Sequence, residues 1–215
     1  PTFVNEKEEQ IVNENEQLDF DVIVCGGTIG IFMATALQLK NWKVCVVERG
    51  KLVGRQQDWN ISEKELDEVI SEGVFSEADK DEIVSRKFNP MRAGFKRKEG
   101  DPNGVDTFCP DVLNLGVRPS VMVQRAKERF MEAGGTIYEN TLISKIDVHS
   151  DGTKVYIKNE GIEKSLSGRL VLDCMGNGSP IVRQLRWGKK PDGICLVVGC
   201  CASGFDDNLN KSGDI

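Results

Sequence analysis

The sequence predicts an α/β fold built on a doubly wound parallel sheet, and three stretches predict it. The first, "DVIVCGGTIGIFMATALQLKNWKVCVVERG" at 21–50, reads as a strand, a glycine turn, a helix and a second strand. The second, "VRPSVMVQRAKERFMEAGG", is a helix that returns the chain to the sheet. The third, "GRLVLDCMG", is a buried strand running into another glycine turn.

Taken in order, the opening "PTFVNEKEEQIVNENEQ" is acidic and Asn-rich without helical spacing, which predicts a disordered tail over 1–18 and the fold over 19–215. It has the features of neither a secretory signal nor an Arg-rich transit peptide. Phe20 to Cys25 is an apolar run of strand length that stops at Gly26 and Gly27, and Ile29 to Lys40 then carries Ala and Leu at helical spacing. Lys43 to Val47 is the next strand, closing a βαβ unit of about 30 residues, the size a right-handed crossover needs.

After Glu48 the next crossover helix does not come, because "RGKLVGRQQDWNIS" is broken by Gly50 and Gly54. An inserted helical and loop excursion over about 50–116 takes its place. Within it, Ser62 with Glu65 forms a capping box opening a helix at 63–72, a second helix covers 77–87, and 89–111 reads as loop. Pro119 then starts a helix whose Met122, Ala126, Phe130 and Ala133 share a face and which Gly134 closes. A strand at Thr136 to Tyr138 follows, and "TLISKIDVHSDGTKVYIK" is a hairpin about Asp151 and Gly152. The sum is a Rossmann-like sheet with an inserted β-hairpin layer.

Composition narrows the function classes. With 28 Lys plus Arg against 34 Asp plus Glu the net charge is -6, so no general affinity for nucleic acid or for an anionic bilayer surface is expected, and only a local basic patch is left open. No apolar run reaches the roughly 18 residues of a membrane helix; the longest, "ICLVVGCCA" at 194–202, suits a buried strand. His149 is the only histidine, so a His-based triad and a multi-His metal site are excluded, and no metal is expected. The seven cysteines form no CxxC and sit mostly in apolar runs, which predicts free thiols in a reducing compartment, with the adjacent Cys200 and Cys201 open to a redox reading.

Against the dinucleotide pattern G-x-G-x-x-G, the string Cys25, Gly26, Gly27, Thr28, Ile29, Gly30 matches the second and third glycines and misses the first. Gly27 lets backbone approach a pyrophosphate, Gly30 permits close helix-on-strand packing, and the Thr28 and Ile29 amides face the anion at the positive helix end. Glu48, followed by Arg49, stands at the end of the second strand, where a carboxylate binds ribose hydroxyls and repels a 2′-phosphate. FAD or NAD is therefore expected over NADP, and the long excursion before the returning helix favours FAD. Arg55 lies just beyond and suits a phosphate; Trp59 suits a flat ligand. The string "RLVLDCMGNGSPIVRQL" resembles the flavin hydroxylase segment in which a strand ends in Asp-Gly, then Ser, then Arg, matched here by Gly176, Ser179 and Arg183. Met175 stands in place of the Asp, which speaks against NADPH-dependent hydroxylation.

Four blocks carry a narrower likeness: "CGGTIGIFMATALQLKNWKVCVVERGKLVGRQQDWNIS", "DVLNLGVRPSVMV", "LDCMGNGSPIVRQ" and "KPDGICLVVGCCASGF". Together they resemble the CruA/CruP-type lycopene cyclase family, nearest its CruP branch, with "GRxQxWNIS" the most specific motif and Gln57 where that family usually carries an acid. The resemblance implies an FAD-binding oxidoreductase-like fold, a carotenoid or other isoprenoid substrate, and a plastid or a cyanobacterial thylakoid setting. Three functions follow as expectations: a non-redox cyclase, a redox flavoenzyme on an isoprenoid, or a non-catalytic subunit or assembly factor of a photosynthetic membrane complex. Cyclisation needs an acid and a dry pocket; Asp173, at a strand end, is a candidate whose more natural role is structural, so the catalytic residue stays unassigned. The terminal Ser212, Gly213 and Asp214 read as loop, and the chain as the N-terminal portion of a larger flavoprotein fold without its C-terminal half.

Overall fold

The computed structural model describes residues 2–11, 17–95 and 104–198, with residues 204, 206, 208, 213 and 214. In chain order the strands and helices are β1 (Val4–Glu6), β2 (Phe20–Cys25), α1 (Gly30–Leu39), β3 (Val44–Val47), β4 (Trp59–Ile61), α2 (Glu63–Ser71) and α3 (Glu77–Ile83). They continue as β5 (Val84–Lys87), β6 (Met91–Phe95), β7 (Val105–Cys109), β8 (Leu115–Val117), α4 (Pro119–Glu132) and β9 (Thr136–Tyr138). The last are β10 (Leu142–His149), β11 (Gly152–Asn159), β12 (Ile162–Asp173), α5 (Pro180–Arg186) and β13 (Gly213–Asp214). Two compact units share them: 1–53 with 123–196, and 54–122 with 197–215.

The first unit holds a seven-stranded sheet in the order β1-β10-β11-β12-β2-β3-β9. Its β12-β2-β3-β9 part is parallel, as the apolar runs require. Val44 to Val47 are all buried, and alternation splits each strand between two faces. Ile23, Cys25, Cys45 and Val47 pack with Ile143, Ile146, Val155, Ile157 and Leu166 of the hairpin, so the hairpin covers that face. Val24 points the other way, toward α1, where a Cβ on Gly30 would lie 2.5 Å from its Cγ1. On that side the Thr35 hydroxyl donates to Ile31 O and Ala126 O, tying α1 to α4.

One long strand joins hairpin to parallel sheet. The first half of β12 pairs antiparallel with β11 and the second half parallel with β2, and Gly168 belongs to both registers. A Cβ there would meet Ile23 at 2.8 Å, so the pivot needs glycine.

Three features depart from the sequence reading. The tail expected to be disordered carries β1, parallel to β10. Its backbone is held by a residue some 180 positions away: the Gln184 side chain accepts from the Phe3 and Val4 amides and donates to Val4 O. In the second unit, the excursion expected to be helical and loop contributes the strands of a sheet β4-β8-β5 and the β6–β7 pair of a sheet β13-β6-β7. The helix expected to 87 stops at Ile83, because Val84 turns extended to pair with Val117. The expected loop 89–111 contains the β6–β7 hairpin, and Gly213 and Asp214 pair with Met91 and Arg92. Finally, Ile194, Leu196, Val197 and Val198 form no strand and stand 80–89% exposed. Among the described residues no neighbouring strand pairs with 194–198, and residues 199–202 of the expected strand lie outside them.

The second unit buries Leu66, Val74, Phe75, Ile83, Leu115 and Val117. Ser62 and Ser76 cap α2 and α3 through the reciprocal Ser and Glu or Asp pattern.

Cys25, Cys45, Cys109, Cys174 and Cys195 are free, while Cys200 and Cys201 lie outside the described residues. Burial pushes the Cys25 thiol up to about 12, and it raises Cys45 as well. Both should therefore be inert to thiol reagents in the folded protein and react only on denaturation. Thiol titration without reductant is expected to find seven groups in denaturant and fewer under native conditions; fewer than seven in denaturant would mean a disulfide.

Candidate functional site

Four parallel strands end level with one another. Cys25 lies opposite Val47 and Asp173, and Val47 opposite Tyr138, so β2, β3, β12 and β9 reach one carboxyl edge of the sheet. Ligand crevices in open α/β sheets form at such an edge. Every sequence-predicted site residue of the first unit leaves from it: Gly26 to Gly30 after β2, Glu48 and Arg49 after β3, Gly176 after β12.

Cys25, at the place of the missing first glycine, is a buried ladder residue at the end of β2. Gly26 makes the turn instead, with φ +95°, and a Cβ on it would lie 2.5 Å from the Cys174 carbonyl oxygen. Two turns of the edge thus touch there through backbone, which only glycine permits. Its amide donates to Val47 O at 2.8 Å.

Glu48 binds the glycine turn directly. Its Oε2 accepts the Gly27 amide at 2.8 Å and its Oε1 the Gly50 amide at 3.0 Å. One carboxylate therefore fixes the first turn relative to the loop after β3, with oxygen lone pairs to spare for a ligand's hydroxyls.

The α1 N-terminus is open. Ile29 at the N-cap position offers no side-chain acceptor and the first turn has no acidic residue. Among the described residues, the amides of Thr28, Ile29 and Gly30 have no hydrogen-bond partner, while Gly27 O accepts from Ile31. Ser62, Ser76 and Ser179 cap α2, α3 and α5. The positive end of a ten-residue helix is thus left with free donors beside a carboxylate. Free amide donors at a helix N-terminus suit an anion, and a carboxylate beside them suits a diol.

Three further groups support the site; sequence reasoning missed the first two and named the third as an acid whose more natural role is structural. The Leu52 side chain lies over Gly27, where a Cβ would come within 2.4 Å of its Cδ1. Glu139 holds that segment, accepting the Leu52 amide and the Lys127 ammonium, each at 2.7 Å. The hydrogen bond from Lys127 keeps the Glu139 carboxyl below the usual carboxylate range, with smaller contributions from Leu52 and Lys51 against the effect of burial. Because this pKa is depressed, its stabilisation is present above the unfolded value near 4.5 and is lost as pH falls through the folded one. Glu139→Gln is expected to flatten the acid limb of the pH–stability curve; an unchanged limb would remove Glu139 from this role. The third group is Asp173, whose carboxylate accepts the Ser179 hydroxyl and the Met175 amide. It shapes the turn leading to Gly176, which has φ +65° and open space around its Cα. The only sequence signals were acids at strand ends, which do not distinguish a ligand contact from a turn brace.

Arg49 is exposed. Arg55 belongs to the second unit, where with Gln57, Asp58 and Trp59 it lines an open groove of about 540 Å³. The Asp58 carboxylate there accepts the Ser85 hydroxyl.

No family model matches the sequence, and no curated protein matches it. Among solved structures, the chain is similar to a flavoprotein/dehydrogenase from Cytophaga hutchinsonii, with a TM-score of 0.61 at 17% identity over 81% of this chain and 43% of that one. It is similar to the anhydrotetracycline hydroxylase OxyS from Streptomyces rimosus, with a TM-score of 0.56 at 17% identity over 77% and 33%. The myxobacterial chondrochloren halogenase CndH, a variant of FAD-dependent halogenases, gives 0.56 at 16% over 74% and 38%. These likenesses establish the fold as the α/β fold of those proteins, and the chain spans less than half the length of each.

Proposed function

We propose that this chain supplies the adenosine and pyrophosphate half of an FAD site in a larger flavoprotein. The open N-terminus of α1, with free amides at Thr28, Ile29 and Gly30 beside Glu48, carries the reading. Those amides take the pyrophosphate, and Glu48 accepts from the ribose hydroxyls and disfavours a 2′-phosphate. Gly26 and Gly30 hold turn and helix close enough for this, since a Cβ on Gly26 would strike the Cys174 backbone and one on Gly30 the Val24 side chain. Bound FAD supplies electron or hydride transfer, or a reduced ring that aids proton chemistry.

The sequence resemblance to lycopene cyclases supports a carotenoid or other isoprenoid substrate, and with it a plastid or cyanobacterial thylakoid setting. The names of the similar structures, a dehydrogenase, a hydroxylase and a halogenase, support a second reading, a redox flavoenzyme on such a substrate. Asp173 is committed to Ser179 and Met175 and is not proposed as the cyclising acid.

Full-length protein is expected to carry FAD at about one per chain, released on denaturation and identified by chromatography. Lycopene offered with reduced FAD separates the readings. Ring formation without NADPH turnover supports the cyclase, and coupled NADPH oxidation the redox enzyme. FAD-free protein that also fails to take up added FAD defeats the proposal. Unaltered carotenoid with stoichiometric co-purification of a photosynthetic complex would make it a non-catalytic subunit.

A further inference from the structure

We propose that the tip of α5 and the residues after it, where Arg183, Arg186, Lys189 and Lys190 flank Leu185 and Trp187 along the chain, dock the protein on an anionic lipid surface. The chain as a whole is acidic at -6, yet "RQLRWGKK" at 183–190 has four cations and no carboxylate. None of the four has a carboxylate partner among the described residues, and all are exposed. Asp192 is the first acid to follow.

The fold makes this tip protrude. Ser179 caps the start of α5, Ile181 packs on the sheet core, and Gln184 is hydrogen-bonded to β1 on both its amide atoms. With that side committed, Leu185 and Trp187 face outward at 75% and 82% exposure. The tip is nevertheless tethered. Trp187 holds the left-handed position at φ +46°, usually taken by glycine, with its amide on Gln184 O, and the Lys189 amide donates to Arg186 O.

Ordinary helix chemistry explains part of this. Arg183 and Arg186 sit in the last turn, where cations suit the helix dipole. Lys189 and Lys190 lie beyond the reach of that dipole, and two large apolar side chains in water are explained by nothing inside the unit. An exposed tryptophan and leucine interleaved in sequence with exposed long cationic side chains are the makeup of a membrane-interface contact: the apolar pair enters the headgroup region and the cations stay with phosphate. Nucleic acid fits less well, since a leucine gives a base nothing to stack on. The contact is with a surface; no helix among the described residues is long and apolar enough to cross a bilayer.

Full-length protein is floated with phosphatidylcholine vesicles, with and without about a third phosphatidylglycerol. Recovery is expected with the anionic vesicles only, and it should fall as salt rises. Arg186→Glu/Lys189→Glu/Lys190→Glu is expected to lower partitioning at least about tenfold, and Trp187→Ala several-fold. Circular dichroism and FAD content, read on the same samples, should match the parent protein; FAD content tests the cofactor reading separately. Equal recovery on neutral vesicles, none on either, or a charge-reversal variant that floats like the parent would overturn the proposal. So would a gel shift of a single-stranded oligonucleotide abolished by the same three changes, which would assign the tip to nucleic acid. Should the triple variant misfold, Trp187→Ala and the salt series on the parent protein still decide.

Discussion

Gly26→Ala is expected to destabilise the protein by about 2 to 5 kcal/mol. Two effects add. At φ +95° an alanine pays the left-handed backbone penalty, and its Cβ arrives 2.5 Å from the Cys174 carbonyl oxygen, 2.7 Å from the Cys174 carbonyl carbon and 2.9 Å from the Met175 nitrogen. All three atoms are backbone, at the end of a strand paired to β2 itself, so no side chain can swing aside. A loss of this size is a large share of the roughly 5 to 15 kcal/mol that holds a typical domain together. Gly178→Ala is the control. Nothing lies within 4 Å of a Cβ there, and its effect should stay within about 0.5 kcal/mol. Urea unfolding of both variants reads the difference, and equal midpoints would show that the turn can give way and that the contact between the two loops is soft.

Gly26 also shows where legibility stops. The βαβ unit is readable because its strands are unbroken apolar runs bounded by glycine. The returning helix is readable because Met122, Ala126 and Phe130 keep a helical period and are buried in fact. The hairpin is readable from alternation about Asp151 and Gly152. These signals are local. Three-residue strands such as β4 and β8 show no period, since an alternation needs more residues than they have. The first strand is invisible because its partners, β10 and the Gln184 side chain, lie far along the chain. At the site, the sequence ends the strand at Cys25 and places the turn at Gly26 and Gly27, as the structure has it. What it does not contain is the reason Gly26 must bend so tightly, the Cys174 backbone beneath it, which no window around residue 26 includes. Glu139 and Leu52 were missed for the same cause: they brace Gly27 from loops that meet it only in the fold.

Glu48→Ala is expected to weaken FAD binding about 10- to 100-fold and, separately, to lower stability by about 1 to 3 kcal/mol. The two losses have different origins. Without the carboxylate the Gly27 and Gly50 amides lose their acceptors, so the turn and the loop after β3 are no longer joined, which accounts for the stability term. The affinity term adds the ribose contacts. Glu48→Gln does not restore the site, because its amide nitrogen must face one of the two backbone N–H groups, donor against donor. Binding alone cannot separate a collapsed turn from a lost ribose ligand, and charge discrimination can. If Glu48 meets the ribose, the parent protein should prefer ADP to 2′-phosphorylated ADP, and Glu48→Gln should shrink that preference as the repulsion of the 2′-phosphate disappears. A turn that merely loosens would weaken both nucleotides in proportion and leave their ratio unchanged. That unchanged ratio, read by titration calorimetry of both nucleotides against both proteins, would return Glu48 to a structural brace and leave the α1 amides as the whole of the site.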